Sequence, residues 1–332
     1  MGNRSTALDI VRSLGILAIV AGHVWLNPAV LDALYTWHVP IFFFLAGWLW
    51  KPGRTVRAEI VRRGRALLYP YAFWLVTIAA AKVLTDALTG NISMGSIAAG
   101  LYGGGMAAQP FTTFWFVFVL YASAVIFRAI EGFPLQLRAV LVVVGVASGT
   151  LFGHQLSITP LAVGSALPAM VFLAAGQLCA WVTVRCQISP YWGVVSIGFG
   201  ALLVLLGVEP FDIKSGNWGS PGLSIIMATA ISWGLTLVAV PLAQRLGRGA
   251  QKFTWFALTG FTIVLVHPLV IWLLQPFIPA WTLYIAAVIV PCAIASFARR
   301  TRWSHWITGT VEANKTAESS RGAGHVRLVS DE

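Results

Sequence analysis

About ten stretches of roughly 20 apolar residues follow one another along the chain, and that spacing leaves few folds open. They lie near 8–27, 31–50, 66–86, 112–129, 136–153, 161–184, 190–208, 221–244, 253–275 and 279–298. Each is long enough to cross the hydrocarbon layer as a helix. Only 10% of the residues are charged, and the mean hydropathy is +0.80. A soluble domain carries about a quarter charged residues, so this chain cannot cover itself with polar surface. The expected class is all-α: a polytopic integral membrane protein of about ten transmembrane helices.

The charged residues sit between the runs, and their signs alternate. Lys51, Arg54, Arg57, Arg62, Arg63 and Arg65 precede the third run. Arg128 and Arg138, then Arg185, then Arg245, Arg248 and Lys252, then Arg299, Arg300 and Arg302 fill connections on the same side. The opposite side carries Asp32, Asp86, Glu209, Asp212 and Lys214. The positive-inside rule then predicts both termini in the cytoplasm and a multi-pass placement in the inner, cytoplasmic membrane. The net charge of +11 is therefore a topology signal, and nucleic acid is not an expected partner. Lys82, near an outer helix end, is expected to snorkel to the interface.

The expected transmembrane domain covers 1–302, and 303–332 reads as a disordered cytoplasmic tail. The first run carries Asp9, Arg12 and His23 and reads as a helix that stays in the membrane. The connection 87–111 is long and Gly-rich, either a re-entrant, substrate-facing loop or flexible filler. Cys179, Cys186 and Cys292 form neither a disulfide framework nor a metal-ligand spacing, so no metal is expected.

Arg12 and His23 lie eleven positions apart on the first helix, which is three turns plus about 20°, so they share a face. The rise between them is roughly 16 Å. An arginine inside a span costs about 3 kcal/mol, which argues for a polar cavity; the alternative is an arginine snorkelling beside Asp9. His23 lies too deep to snorkel and is a candidate general base; a histidine bonded to a backbone carbonyl is the plainer reading. His38 precedes Pro40, which opens the second helix, so His38 either shares a pocket with His23 or sits at the interface. Arg62 and Arg65, spaced i,i+3, suit phosphate recognition, although plain topology charge explains them as well. His267, before Pro268, reads as a packed core histidine. Trp115 either lines a cavity or belongs to the interface belt.

In this order the motifs resemble the membrane-bound acyltransferase 3 family. Arg12 and His23 match its first-helix pair. His38, Pro40, Phe42 and Phe43 match its second-helix signature. Arg62, Arg65, Leu67, Leu68, Pro70 and Tyr71 match the segment that follows. Trp115 with Phe116 opens a later helix, and His267 matches a late Leu-x-His pattern. Ala46 stands before Gly47 where the family often has Ser. There is no appended hydrolase-like domain, so the chain is similar to short forms such as fucose 4-O-acetylase relatives.

The resemblance implies an O-acyltransferase moving an acyl group, commonly acetyl, from cytosolic acyl-CoA to a hydroxyl of a cell-envelope glycan or lipid. It implies Arg62 and Arg65 toward the CoA phosphates, and His23 with Arg12 and His38 at the chemistry. The competing expectation is a transporter or flippase binding an anionic headgroup with the same residues. The absence of mid-span carboxylates in the later helices speaks against a proton-driven exchanger.

Overall fold

Once a backbone enters lipid, every N–H and C=O must be satisfied within the protein, so the apolar runs become helices. A computed structural model describes residues 5–90 and 93–309. Its helices are α1 (Thr6–Val24), α2 (Pro28–Tyr35), α3 (Pro40–Trp48), α4 (Val56–Arg63), α5 (Tyr69–Thr89) and α6 (Met94–Tyr102). There follow α7 (Phe114–Ala129), α8 (Leu135–Ser157), α9 (Ala166–Arg185), α10 (Tyr191–Leu205), α11 (Leu223–Leu246), α12 (Gln251–Leu274), α13 (Ala280–Ala298) and α14 (Ser304–Thr308). Among the described residues there is no strand, only an isolated bridge between Asp212 and Asn217.

Seven stretches are long and apolar enough to cross a membrane. Three of them, Pro28–Trp48, Val56–Thr89 and Leu223–Leu274, each hold two of these helices, and Phe114–Ala129 and Tyr191–Leu205 are shorter apolar helices. Every apolar run read from the sequence therefore lies on a helix. The second run breaks as Pro40 foretold, into α2 and α3 with a turn between them.

Small residues set the helix spacing. A Cβ on Gly47 would lie 2.0 Å from the Leu173 carbonyl oxygen, and one on Gly176 would lie 2.0 Å from that of Phe44. These two glycines let α3 and α9 touch backbone to backbone, the usual way membrane helices gain packing without a hydrophobic drive. On α12, Gly260 admits Ile16 of α1 in the same manner. Helix α1 lies inside the bundle, packed on α3, α11, α12 and α13.

Pro268 removes the N–H that would bond the Val264 carbonyl within α12. Thr113 Oγ1, from the turn that leads into α7, donates to that carbonyl at 2.8 Å. A local defect is thus repaired by a distant side chain, and α7 is tied to α12 beside His267.

Two expectations are corrected. Lys82 does not snorkel: it is buried, paired with Asp86 at 2.6 Å, and lies over the Trp272 ring at 5.2 Å. The i,i+4 spacing on α5 makes that pair local, so the charge is neutralised in place. The chain beyond 302 also begins with structure. Helix α14 docks on α5, where Trp74 Nε1 donates to the Ile307 carbonyl at 3.0 Å and Tyr69 stacks on Trp306 at 4.6 Å. The rest of the expected tail, 310–332, lies outside the described residues. The 87–111 connection, expected as a re-entrant loop or flexible filler, holds α6 and a short turn at Gly104–Met106 among its described residues.

Candidate active site

Helix α1 carries the polar stripe. Arg12 and His23 both face protein rather than lipid, each on a different cavity. Arg12 is half-buried and donates to Asp9 at 2.7 Å. It lines a cavity of about 450 Å³ with Lys51, Arg54, Arg62, Arg63, Ala46 and Phe42. That volume and lining suit a small-molecule site.

The wall of this basic mouth is held by a buried carboxylate. Glu59 is fully buried and accepts from Arg62 at 2.7 Å and from Arg63. Arg54 and Arg128 approach its other oxygen at 3.7 and 3.6 Å. Arg128 also bonds Glu131 and the Lys51 carbonyl, and lies 4.1 Å over the Trp50 ring. Glu59 thereby fixes cations that would otherwise repel one another. Arg65 is elsewhere. Residues Gly64–Leu68 form a π-helical turn, which takes more residues per revolution, so Arg62 and Arg65 do not share the face that an α-helix would give them. Arg65 is exposed and does not line the mouth.

At the other end of the stripe lies a tight cleft of about 50 Å³. It is lined by Ile19 and His23 of α1, Tyr35 of α2, His38, Thr113, Trp115 and Phe116 of α7, and the segment Phe211–Lys214. The imidazoles of His23 and His267 stand 5.1 Å apart, centre to centre. His267 is fully buried, and its Nδ1 lies 2.9 Å from the Ile263 carbonyl. A carbonyl only accepts, so Nδ1 carries the proton and Nε2 keeps a lone pair. That Nε2 has no hydrogen-bond partner among the described residues. His38 is fixed in the same way, Nδ1 to the Leu34 carbonyl at 2.7 Å, with Tyr35 packed on its ring at 4.7 Å. His23 makes no hydrogen bond to the described residues, so neither of its nitrogens is committed. A free imidazole in a small cleft can take a proton from a bound hydroxyl.

Mouth and cleft are divided by aromatic rings. Phe42 lines the mouth and Phe116 the cleft, with their rings 5.5 Å apart in a T-shaped contact. Gly15 makes room for Phe42: a Cβ there would sit 2.9 Å from its ring.

A family model described as an acyltransferase domain matches residues 5–299. The chain belongs to the acyltransferase 3 family. The match is to the family and does not single out its fucose 4-O-acetylase branch. No curated protein and no solved structure matches the chain. This multi-pass membrane acyltransferase therefore brings together His23, His38, Trp115 and, through contact with His23, His267 at one end, and Arg12 with Arg62 at the other.

Several residues in this acyltransferase escaped the sequence reading. Thr113 was signalled only by Pro268, whose missing N–H implies a carbonyl in need of a donor. Arg128 reads from the sequence as plain topology charge, and nothing there singles out Glu59. The segment from Phe211 to Trp218 did carry a hint, because Phe211, Ile213 and Trp218 are too apolar for a solvated loop, and all three are buried.

Proposed function

We propose that this acyltransferase moves an acyl group, most simply acetyl, from acyl-CoA to a hydroxyl of a cell-envelope glycan or glycolipid. The observation that carries the reading is the shared stripe on α1, with Arg12 on a basic mouth and His23 beside His267 in a separate cleft. Positive-inside charge supports a mouth on the cytoplasmic side and a cleft toward the outer side.

In this reading the CoA phosphates rest on Arg12, Arg54, Arg62 and Arg63, whose forked donors suit them. The pantetheine arm runs inward between Phe42 and Phe116. The acceptor hydroxyl lies against His23. His23 accepts the hydroxyl proton as the oxygen attacks the thioester carbonyl. The carbon–sulfur bond breaks, and the CoA thiolate leaves with the proton that His23 then returns. The lone pair on His267 Nε2 orients the imidazole and receives a hydrogen bond from it once it is protonated. General-base help of this kind is worth about 10²–10⁴ in rate.

The test is CoA release from acetyl-CoA by the purified protein in nanodiscs, with envelope glycans and lipids of the parent strain as acceptors. His23→Ala is expected to remain folded and to lose transfer. Near-normal turnover in that variant removes His23 from the chemistry. Mass spectrometry of envelope glycans and lipids from deletion and parent strains then identifies the acceptor by the missing acetyl.

A further inference from the structure

The cleft contains a cation that the reaction just described does not use. Lys214 lines the same cavity as His23 and His38, and is partly buried. It forms no ion pair or hydrogen bond through its amine with the described residues, and the charge acting on it is that of Asp212. Burial pushes its amine below the ordinary lysine range, and Asp212 pulls it part of the way back. Asp212 is engaged in its own turn, where its Oδ1 accepts from the Ser215 N–H at 3.4 Å. A partly buried ammonium whose neighbouring carboxylate, Asp212, is not in direct contact with it gains further from an incoming anion.

The segment that carries Lys214 is fixed in position. Phe211, Ile213 and Trp218 are buried on either side of it. Asp212 and Asn217 exchange backbone bonds at 3.0 and 2.9 Å, and Asn217 Nδ2 donates to Glu209 at 2.8 Å. Gly216, with φ +87°, passes so close to α8 that a Cβ would lie 2.3 Å from the Gly153 backbone. Side chains on such an anchored segment are held where they are.

The donor does not account for this cation. Its phosphates have a basic mouth of their own at the far end of the α1 stripe, and the Phe42–Phe116 contact stands between that mouth and the cleft.

We propose that Lys214 selects an anionic acceptor: a sugar or lipid headgroup in which a carboxylate or phosphate sits beside the hydroxyl to be acylated. The anion docks on Lys214 at the rim, and the hydroxyl then falls toward His23. The cleft, which Tyr35 and Trp115 also line, admits the reacting hydroxyl while the body of the acceptor stays at its rim. This rests on the acyl-transfer reading only for the identity of the ligand as acceptor; the anion site itself stands on Lys214 and its anchored loop.

The experiment uses the full chain in nanodiscs and three probes: methyl glucuronide, glucose 1-phosphate and neutral methyl glucoside. Thermal stabilisation reads binding, and CoA release from acetyl-CoA reads transfer. At least one charged probe is expected to stabilise the protein where the neutral one does not. The response to carboxylate against phosphate tells which anion is preferred. Lys214→Gln should raise the apparent Kd or KM for the charged probe about tenfold and leave kcat within about twofold. Lys214→Arg should keep the charge preference, which excludes a folding defect as the cause. Equal binding of charged and neutral probes by the unaltered protein overturns the proposal, and so does a fall in kcat at unchanged KM in Lys214→Gln. Charge-dependent stabilisation without CoA release would uphold the anion site and count against acyl transfer to these probes, so the two ideas fail separately.

Discussion

His23 on α1 and His267 on α12 hold their imidazoles 5.1 Å apart, with Nδ1 of His267 locked onto the Ile263 carbonyl. The lock presents a lone pair rather than an N–H at the ring edge left unpaired. His267→Leu should therefore remove the acceptor that steadies a protonated His23 and lower kcat about tenfold or more, with a smaller effect on the donor KM. His267→Gln, whose carbonyl oxygen also accepts, should recover part of the loss. Steady-state kinetics on the two variants decide the point, and unchanged kcat in both would leave His267 as packing alone.

The contact between Phe42 and Phe116 divides mouth from cleft, and in the proposed reaction it also keeps the thioester from water. Phe42→Ala should open the partition and raise acceptor-independent release of CoA from acetyl-CoA several-fold, because water then reaches the thioester. Phe42→Trp should narrow the passage and slow transfer. CoA release without added acceptor is the measurement, and a Phe42→Ala protein with unaltered hydrolysis would show that the passage runs elsewhere.

Arg62 and Arg65 part company at the π-helical turn. Arg62→Ala should raise the KM for acetyl-CoA several-fold with little change in the acceptor KM, whereas Arg65→Ala should leave both near their original values. Equal effects of the two substitutions would mean that both guanidiniums reach the donor.

Thr113 repairs the carbonyl that Pro268 leaves without a donor. Thr113→Val keeps the shape and removes the hydroxyl, so it should destabilise the protein by about 1–3 kcal/mol. Thr113→Ser should recover most of that. Thermal denaturation in detergent reads both, and a Thr113→Val protein as stable as the original would mean that water or a shifted backbone satisfies Val264.

The chain by itself determined what is periodic or local. Runs of about 20 apolar residues become helices because lipid offers the backbone no other partner. The spacing of Arg12 and His23 puts them on one face because helical rotation is fixed per residue. Pro40 breaks its run because a proline has no N–H to give. Arg62 and Arg65 show the edge of that legibility, since an i,i+3 rule holds only while the helix stays α. Tertiary structure alone decided the encounters between distant segments: His23 with His267, Thr113 with Val264, Phe42 with Phe116, and Lys214 with the cleft. Those depend on how helices cross and on how close glycines such as Gly15, Gly47 and Gly260 let them come. Close approach is a property of two surfaces at once, and neither segment announces its partner.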